Sequence, residues 1–292
     1  MFNLFKNKNQ PPLQSSGVLR VIGDRSSGKT TYMASLARWP NADPDSPVQA
    51  VTAVNEGGEK LLSQAQNILE QGLELERTPL ALTVSDVNDC TLQITLKEKK
   101  IGSKLLNLNI SSKDYSGEFF DDLLHRGKNT QLDEYLEDCL QCNGIMFLVD
   151  GSSRRKDLEY ANGLDKLLLA LDRNDLGGSK RRIALVLNKC EQSDLWVNRD
   201  KPAFLASARF PQVCRKLQSW QQMGGGDIEF FTASAFGMLG SKYPEPNVNL
   251  LTKTRGGVTA VIKNPKLWRP FGLVAPIYWL CTGSRHQELD KG

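Results

Sequence analysis

Residues 23–30 read GDRSSGKT, and they follow the apolar run GVLRVIG directly. A GxxxxGK[ST] stretch between a strand and a helix leaves a chain few ways to fold. The strand must be buried, the loop must turn tightly, and the helix N-terminus must face an anion. Backbone N–H groups of the loop and first helical turn then point inward at phosphate oxygens. Gly23 and Gly28 supply dihedral angles and close approach that a side chain would block. Lys29 reaches the outer phosphates as a point charge. The Thr30 hydroxyl suits Mg²⁺, which takes oxygen ligands in an octahedron. Asp24, Arg25, Ser26, Ser27 and Thr31 complete the expected phosphate cradle.

The rest of the chain supplies strands and helices in alternation. After a polar stretch with Pro11 and Pro12, read as a loose tail over residues 1–16, the first strand is GVLRVIG and the first helix SGKTTYMASLARW. GGEKLLSQAQNILEQG has helical periodicity, with Leu61, Leu62, Ala65, Ile68 and Leu69 on one face. TLQITLK (91–97) and KLLNLNIS (104–111) each alternate apolar and polar residues around the polar turn KEKKIGS, which predicts an antiparallel hairpin. EFFDDLLHRGKNTQLDEYLEDCLQC predicts two helical pieces. NGIMFLVD (143–150), RRIALVLNK (181–189) and DIEFFTASA (227–235) read as buried strands, with helices between them, the last over about 202–222. The final third reads as loop-rich, closing on the apolar FGLVAPIYWL. This order implies an α/β fold in three layers: a mostly parallel sheet with one antiparallel strand from the hairpin, covered on both faces. The simplest parse is one nucleotide-binding domain over 17–240 with an insertion at about 40–90, and a C-terminal extension, 241–292, packed on it.

Two further motifs bear on the site. KDYSGEFF contains DxxG, Asp114 to Gly117, between the second hairpin strand and a helix. An Asp there can hold Mg²⁺ through water, and the Gly amide can bond a γ-phosphate, a contact that exists only in the triphosphate state. After the strand IALVL comes NKCE. Its Glu191 carboxylate can accept two hydrogen bonds from the guanine edge, a pair that adenine does not offer. Asn188 and Lys189 would brace the loop and stack beside the base, and Ser234 and Ala235 lie after a later strand.

This series, a phosphate loop, a hairpin ending in DxxG, an NKxD-like NKCE and then SA, resembles the Ras-like P-loop GTPases of the translation-factor-related class. The resemblance covers about residues 17–240 and rests on motifs. It implies a Ras-like topology, Mg²⁺ and GTP or GDP as cofactors, and catalytic contributions from Lys29, Gly117 and Glu118. It implies Mg²⁺ contacts from Thr30, Asp114 and a first-switch threonine, Thr78 with Thr83 as the rival. A protein effector or regulator would meet the switch regions. The chain departs from the pattern at Glu118, where many members carry a water-positioning Gln, and a carboxylate there opposes the charge of the transition state. Slow hydrolysis is implied. Phe236 replaces the Lys that often follows SA, and 85 residues separate Lys29 from Asp114.

Composition narrows the alternatives. Net charge is +4 over 292 residues, which argues against a nucleic-acid partner; basic groups such as Arg154–Lys156 and Lys180–Arg182 read as solvated helix ends. No apolar run reaches the roughly 20 residues of a transmembrane segment, and the N-terminus lacks a secretory signal, so a cytoplasmic location is expected. Cys139 and Cys142 form a single CxxC, read as two half-buried thiols on a helix face rather than a metal site. An ATP-dependent motor or kinase, with Asp150 as its strand-end acid, and a non-hydrolysing nucleotide-bound scaffold both stay open. NKCE weighs against the first.

Overall fold

The computed structural model describes residues 13–25, 27–38, 46–69, 71, 87, 89–97, 105–114, 117–125, 130–142, 144–172, 180–240, 245–253 and 257–290. Among these the elements run β1 (Leu13–Ile22), α1 (Lys29–Ala37), β2 (Val48–Ala53), α2 (Glu56–Leu69), β3 (Asp89–Lys97), β4 (Leu105–Asp114), α3 (Gly117–His125), α4 (Thr130–Leu140), β5 (Gly144–Asp150), α5 (Asp157–Asp172) and β6 (Arg181–Asn188). They continue with α6 (Ser193–Trp196), α7 (Pro202–Arg209), α8 (Pro211–Gln222), β7 (Gly226–Thr232), β8 (Met238–Leu239), β9 (Glu245–Pro246), β10 (Val248–Lys253), β11 (Gly257–Ile262) and α9 (Ala275–Thr282).

Seven strands form one sheet in the order β2-β3-β4-β1-β5-β6-β7. β1 pairs in parallel with both β4 and β5, and β6 and β7 continue in the same sense. β3 is antiparallel to both of its neighbours, so it alone runs against the rest. The expected mostly parallel α/β sheet with one reversed hairpin strand is therefore the observed one.

Strand alternation divides the interior into two cores, one on each face. Along β5, Met146 and Leu148 join the core under α1, α2 and α9, while Ile145, Phe147 and Val149 join the core under α3, α4, α5 and α8. Both sets are buried. A strand buried on both faces reads as a continuous apolar run, as GIMFLV does.

Some local expectations need correction. β1 begins at Leu13 and pairs with β4 from Leu106 onward, so Leu13–Ser16 belong to the sheet and not to a loose tail. β2 was not expected. It is an edge strand beside β3, with a register shift between Val48 and Ala50, and its VQAVTA buries only Val48 and Val51 firmly. The single helix expected over 202–222 is two. Pro211 starts α8 at a position where its missing N–H is harmless, and Asp157 from α5 accepts from Gln212 and Val213 N–H at 3.1 and 3.2 Å. Cys139 and Cys142 are fully buried rather than half-buried. Burial raises both thiols, Cys142 to about 12.

Of the basic groups read as solvated helix ends, Arg154, Arg155 and Lys180 are exposed, whereas Lys156, Arg181 and Arg182 are structural. Arg181 is buried and donates to the Leu171 carbonyl, and Arg182 donates to the Leu280 carbonyl at 2.9 Å. Lys156 is paired with Asp24. Behind β1, buried Arg20 grips Asp138 of α4 with two N–H groups, and Lys113 of β4 adds a contact at 3.0 Å. Asp138→Ala leaves Arg20 buried without its counter-charge, and the loss of stability should be about 3 kcal/mol. Urea denaturation of the variant checks this; a shift under about 1 kcal/mol would mean the pair is merely exposed decoration.

Candidate functional site

In an open α/β sheet, ligands bind beyond the carboxyl ends of the parallel strands. Here the strand register places the motifs at that edge. Val21 lies beside Asp114, Ile22 beside Phe147, Asp150 beside Asn188, and Leu187 beside Thr232. The phosphate loop, the end of β4, the NKCE segment and the SA segment therefore leave neighbouring strands side by side.

The loop itself is held from within. Lys29 is buried, and its ammonium donates to the Gly23 and Asp24 carbonyls at 2.8 and 2.9 Å. The Ser27 hydroxyl donates to the Asp24 carbonyl at 2.9 Å. Gly28 has φ 90°, and a Cβ there would come 2.6 Å from Asn188 Nδ2. At Gly23 a Cβ would come 2.1 Å from the Leu148 carbonyl oxygen. Both glycines are required by the backbone, which keeps the loop close enough to accept an anion on its N–H groups. Arg25 is exposed, Thr30 and Thr31 are half-buried in the first turn of α1, and Ser26 lies outside the described residues.

β6 ties the loop to the second half of the site. Asn188 Nδ2 donates to the Ser27 carbonyl at 3.0 Å, while Asn188 Oδ1 is buried with no hydrogen-bond partner among the described residues. Lys189 adopts φ 63°, an uncommon conformation for a residue with a side chain. Its ammonium pairs with Asp150 Oδ2 at 2.7 Å. Burial raises the Asp150 carboxyl, but the charge and hydrogen bond of Lys189, with Ser152, hold it below its ordinary value. Glu191 is buried, and the Ser234 hydroxyl donates to its Oε2 at 2.6 Å. Ser234 Oγ in turn accepts from Gly237 N–H at 2.8 Å. Burial pushes the Glu191 carboxyl up, against the lowering effect of the Ser234 bond.

The C-terminal extension braces this second half. Ser234 and Phe271 exchange backbone hydrogen bonds at 3.0 and 3.1 Å, and Trp268 Nε1 donates to the Ala235 carbonyl at 2.7 Å. That the extension packs on the domain was expected; which of its residues meet the SA segment is visible only in the structure.

The DxxG segment is described by its backbone. Asp114 closes β4 beside β1, and Gly117 and Glu118 open α3. Thr78 and Thr83 lie outside the described residues. Thr and Asp are oxygen-donor residue types, the kind that Mg²⁺ takes.

A sequence profile described as Double-GTPase 1 matches residues 20–183. The chain belongs to the Double-GTPase 1 family. Membership makes this chain a P-loop GTPase-family protein and supports guanine nucleotide as its ligand. No curated protein matches the chain. Among solved structures it is similar to the mammalian SRP receptor, with 15% identity, TM-score 0.36 and coverage of 75% of this chain and 91% of that one. It is also similar to the SAR1 GTPase of Encephalitozoon cuniculi in complex with GDP, with 15% identity, TM-score 0.34, and coverage of 77% and 70%. A third is the Ski7 GTPase-like domain of S. cerevisiae bound to GTP, with 15% identity, TM-score 0.37, and coverage of 77% and 43%.

Lys29→Ala removes the loop's own buried cation and one charge-assisted contact to phosphate. GDP affinity measured by fluorescence titration should fall by about a hundredfold, the equivalent of roughly 3 kcal/mol. Unchanged affinity would mean that the loop does not carry the phosphates.

Proposed function

We propose that this chain binds GTP and GDP with Mg²⁺, hydrolyses GTP slowly, and reports the bound nucleotide to a protein partner. The observation that carries this reading is the Glu191 carboxylate. It is buried beside the phosphate loop's brace and oriented by Ser234 at 2.6 Å. A carboxylate so placed offers acceptors to the two N–H donors on the guanine edge. Adenine presents an acceptor there, which a carboxylate repels. Assignment to the translation-factor-related class rests on the motif order alone.

Roles follow from position. Lys29 and the loop amides bind the phosphates, and Asn188 keeps the loop in register with the base-reading segment. Thr30 and Asp114 would hold Mg²⁺, which when bound screens the charge between phosphates. Gly117 offers its amide to the γ-phosphate, and Glu118 orients water less well than a neutral Gln, because its charge opposes the charge building on the phosphoryl oxygens. Unassisted hydrolysis of the Ras type is on the order of 10⁻⁴ s⁻¹ and a partner's arginine can raise it about 10⁵-fold. Slow turnover suits a nucleotide that is read as a signal rather than consumed for work.

Glu191 must be ionised to accept from guanine. Burial raises its pKa in the folded protein without nucleotide, so the ionised carboxylate costs stability at neutral pH relative to an exposed Glu. Guanine donors offset that cost. The preference for GDP over ATP should therefore weaken on acidification, beginning at a higher pH than an ordinary Glu would give. Glu191→Ala should lose the preference by roughly 1–3 kcal/mol, since buried guanine donors go unpaired. Competition titrations across pH check both; a preference that is flat in pH and survives Glu191→Ala would contradict this reading of the base.

The switch is tested separately. Amide hydrogen exchange with GDP and with a non-hydrolysable GTP analogue should differ over residues 40–90 and 114–128, where the γ-phosphate would be sensed. Identical protection in both states, or turnover of several per second without a partner, would remove the switch.

A further inference from the structure

Asp24 is the second residue of the phosphate loop. Its backbone carbonyl faces the Lys29 ammonium and the Ser27 hydroxyl. Its side chain is 2% exposed, so a carboxylate within the loop itself is taken out of water. One carboxylate oxygen, Oδ2, is paired with Lys156 Nζ. Among the described residues the other, Oδ1, and the nearby Tyr160 hydroxyl are buried without a hydrogen bond of ordinary geometry, and the two groups interact with each other. Burial raises the Tyr160 phenol, and the Asp24 charge raises it further. The phenol therefore stays protonated and does not add a second negative charge.

Lys156 belongs to none of the nucleotide motifs. It sits in the short helical turn Arg154–Lys156 between β5 and α5, 132 residues from its partner. Its ammonium lies 5.9 Å from the Tyr160 ring centroid. Burial lowers its pKa, but the hydrogen bond and charge of Asp24 more than reverse this, so it is fully charged at neutral pH. The pair is asymmetric. Asp24 is enclosed, whereas the Lys156 side chain is 38% exposed. Solvent can support Lys156 without Asp24, whereas among the described residues Lys156 is the cation paired with the enclosed Asp24 carboxylate.

We propose that Lys156 is a positioning residue for phosphate binding: it neutralises and anchors the Asp24 carboxylate beneath the phosphate loop. The inference rests on the loop being a phosphate site, and not on which base is bound. Without Lys156, the buried negative charge of Asp24 would face the incoming phosphates and counteract Lys29. The penalty must grow with the number of phosphate charges, which a merely structural contribution would not do.

Fluorescence-detected titrations with GDP, GTP and ATP in Mg²⁺, on the full chain, provide the test. Lys156→Met should weaken GDP binding by about tenfold and GTP binding by more, with little change for guanosine. Lys156→Arg, which keeps the charge, should stay within about threefold of the parent. Asp24→Asn combined with Lys156→Met removes both charges and should recover most of the lost affinity. Lys156→Gln keeps a donor and loses only the charge, and gives the same reading if Lys156→Met does not fold. Equal affinity for Lys156→Met or Lys156→Gln and the parent, an equal loss for guanosine and GTP, or a double variant no better than the single would each overturn the proposal. A parent that prefers ATP overturns the guanine reading instead, and the Lys156 comparison is then decided with ATP.

Discussion

The hydrogen bond from Asn188 Nδ2 to the Ser27 carbonyl, 3.0 Å long, joins the two halves of the site. A phosphate loop can bind any nucleoside phosphate. Base choice requires that the residues reading the base sit at a fixed distance from the loop. The sheet sets that distance coarsely, because β1, β5 and β6 are consecutive neighbours. The Asn188 bond sets it finely, and it is why Gly28 has no room for a Cβ. Around this bond the site is layered. Ser234 holds Glu191, the Phe271 strand segment holds Ser234, and Trp268 holds the Ala235 carbonyl. The C-terminal extension is thus part of how the segment proposed to read the base keeps its shape.

Charge organisation follows the same logic. Three acidic groups stand close to where a polyanion would bind, and each is managed differently. Asp150 is neutralised by Lys189 and kept ionised. Asp24 is neutralised by Lys156. Glu191 is held by the Ser234 hydroxyl without a cation paired to it among the described ion pairs, and burial raises its pKa. That contrast sets apart the carboxylate proposed to read the base.

Much of this was legible in the sequence where the constraint is local. GxxxxGKT dictates its backbone within eight residues, and the buried strands betray themselves as unbroken apolar runs. The hairpin showed through alternation, and the observed sheet has the expected single reversed strand. What stayed hidden depends on partners distant in sequence. VQAVTA is an edge strand with a register shift and only two buried residues, so its pattern is weak. Lys156 looked like a solvated helix end because nothing near it in sequence reveals Asp24. The split between α7 and α8 required knowing that Asp157 would cap the second helix. Phosphate-loop glycines can be read from spacing; pairings across the sheet cannot.

The family match supports guanine nucleotide but ends at Ile183, before Asn188 and Glu191, so the choice of guanine by those side chains is the part it does not cover. Calorimetric titration of nucleotide-free protein with GDP, GTP and ATP in Mg²⁺ tests that choice most directly. GDP and GTP should bind at least about a hundredfold more tightly than ATP, the discrimination expected of buried hydrogen bonds to one base edge. ATP binding as tightly as GTP, or more tightly, would contradict the assignment of Glu191 and with it the guanine-nucleotide account of this site.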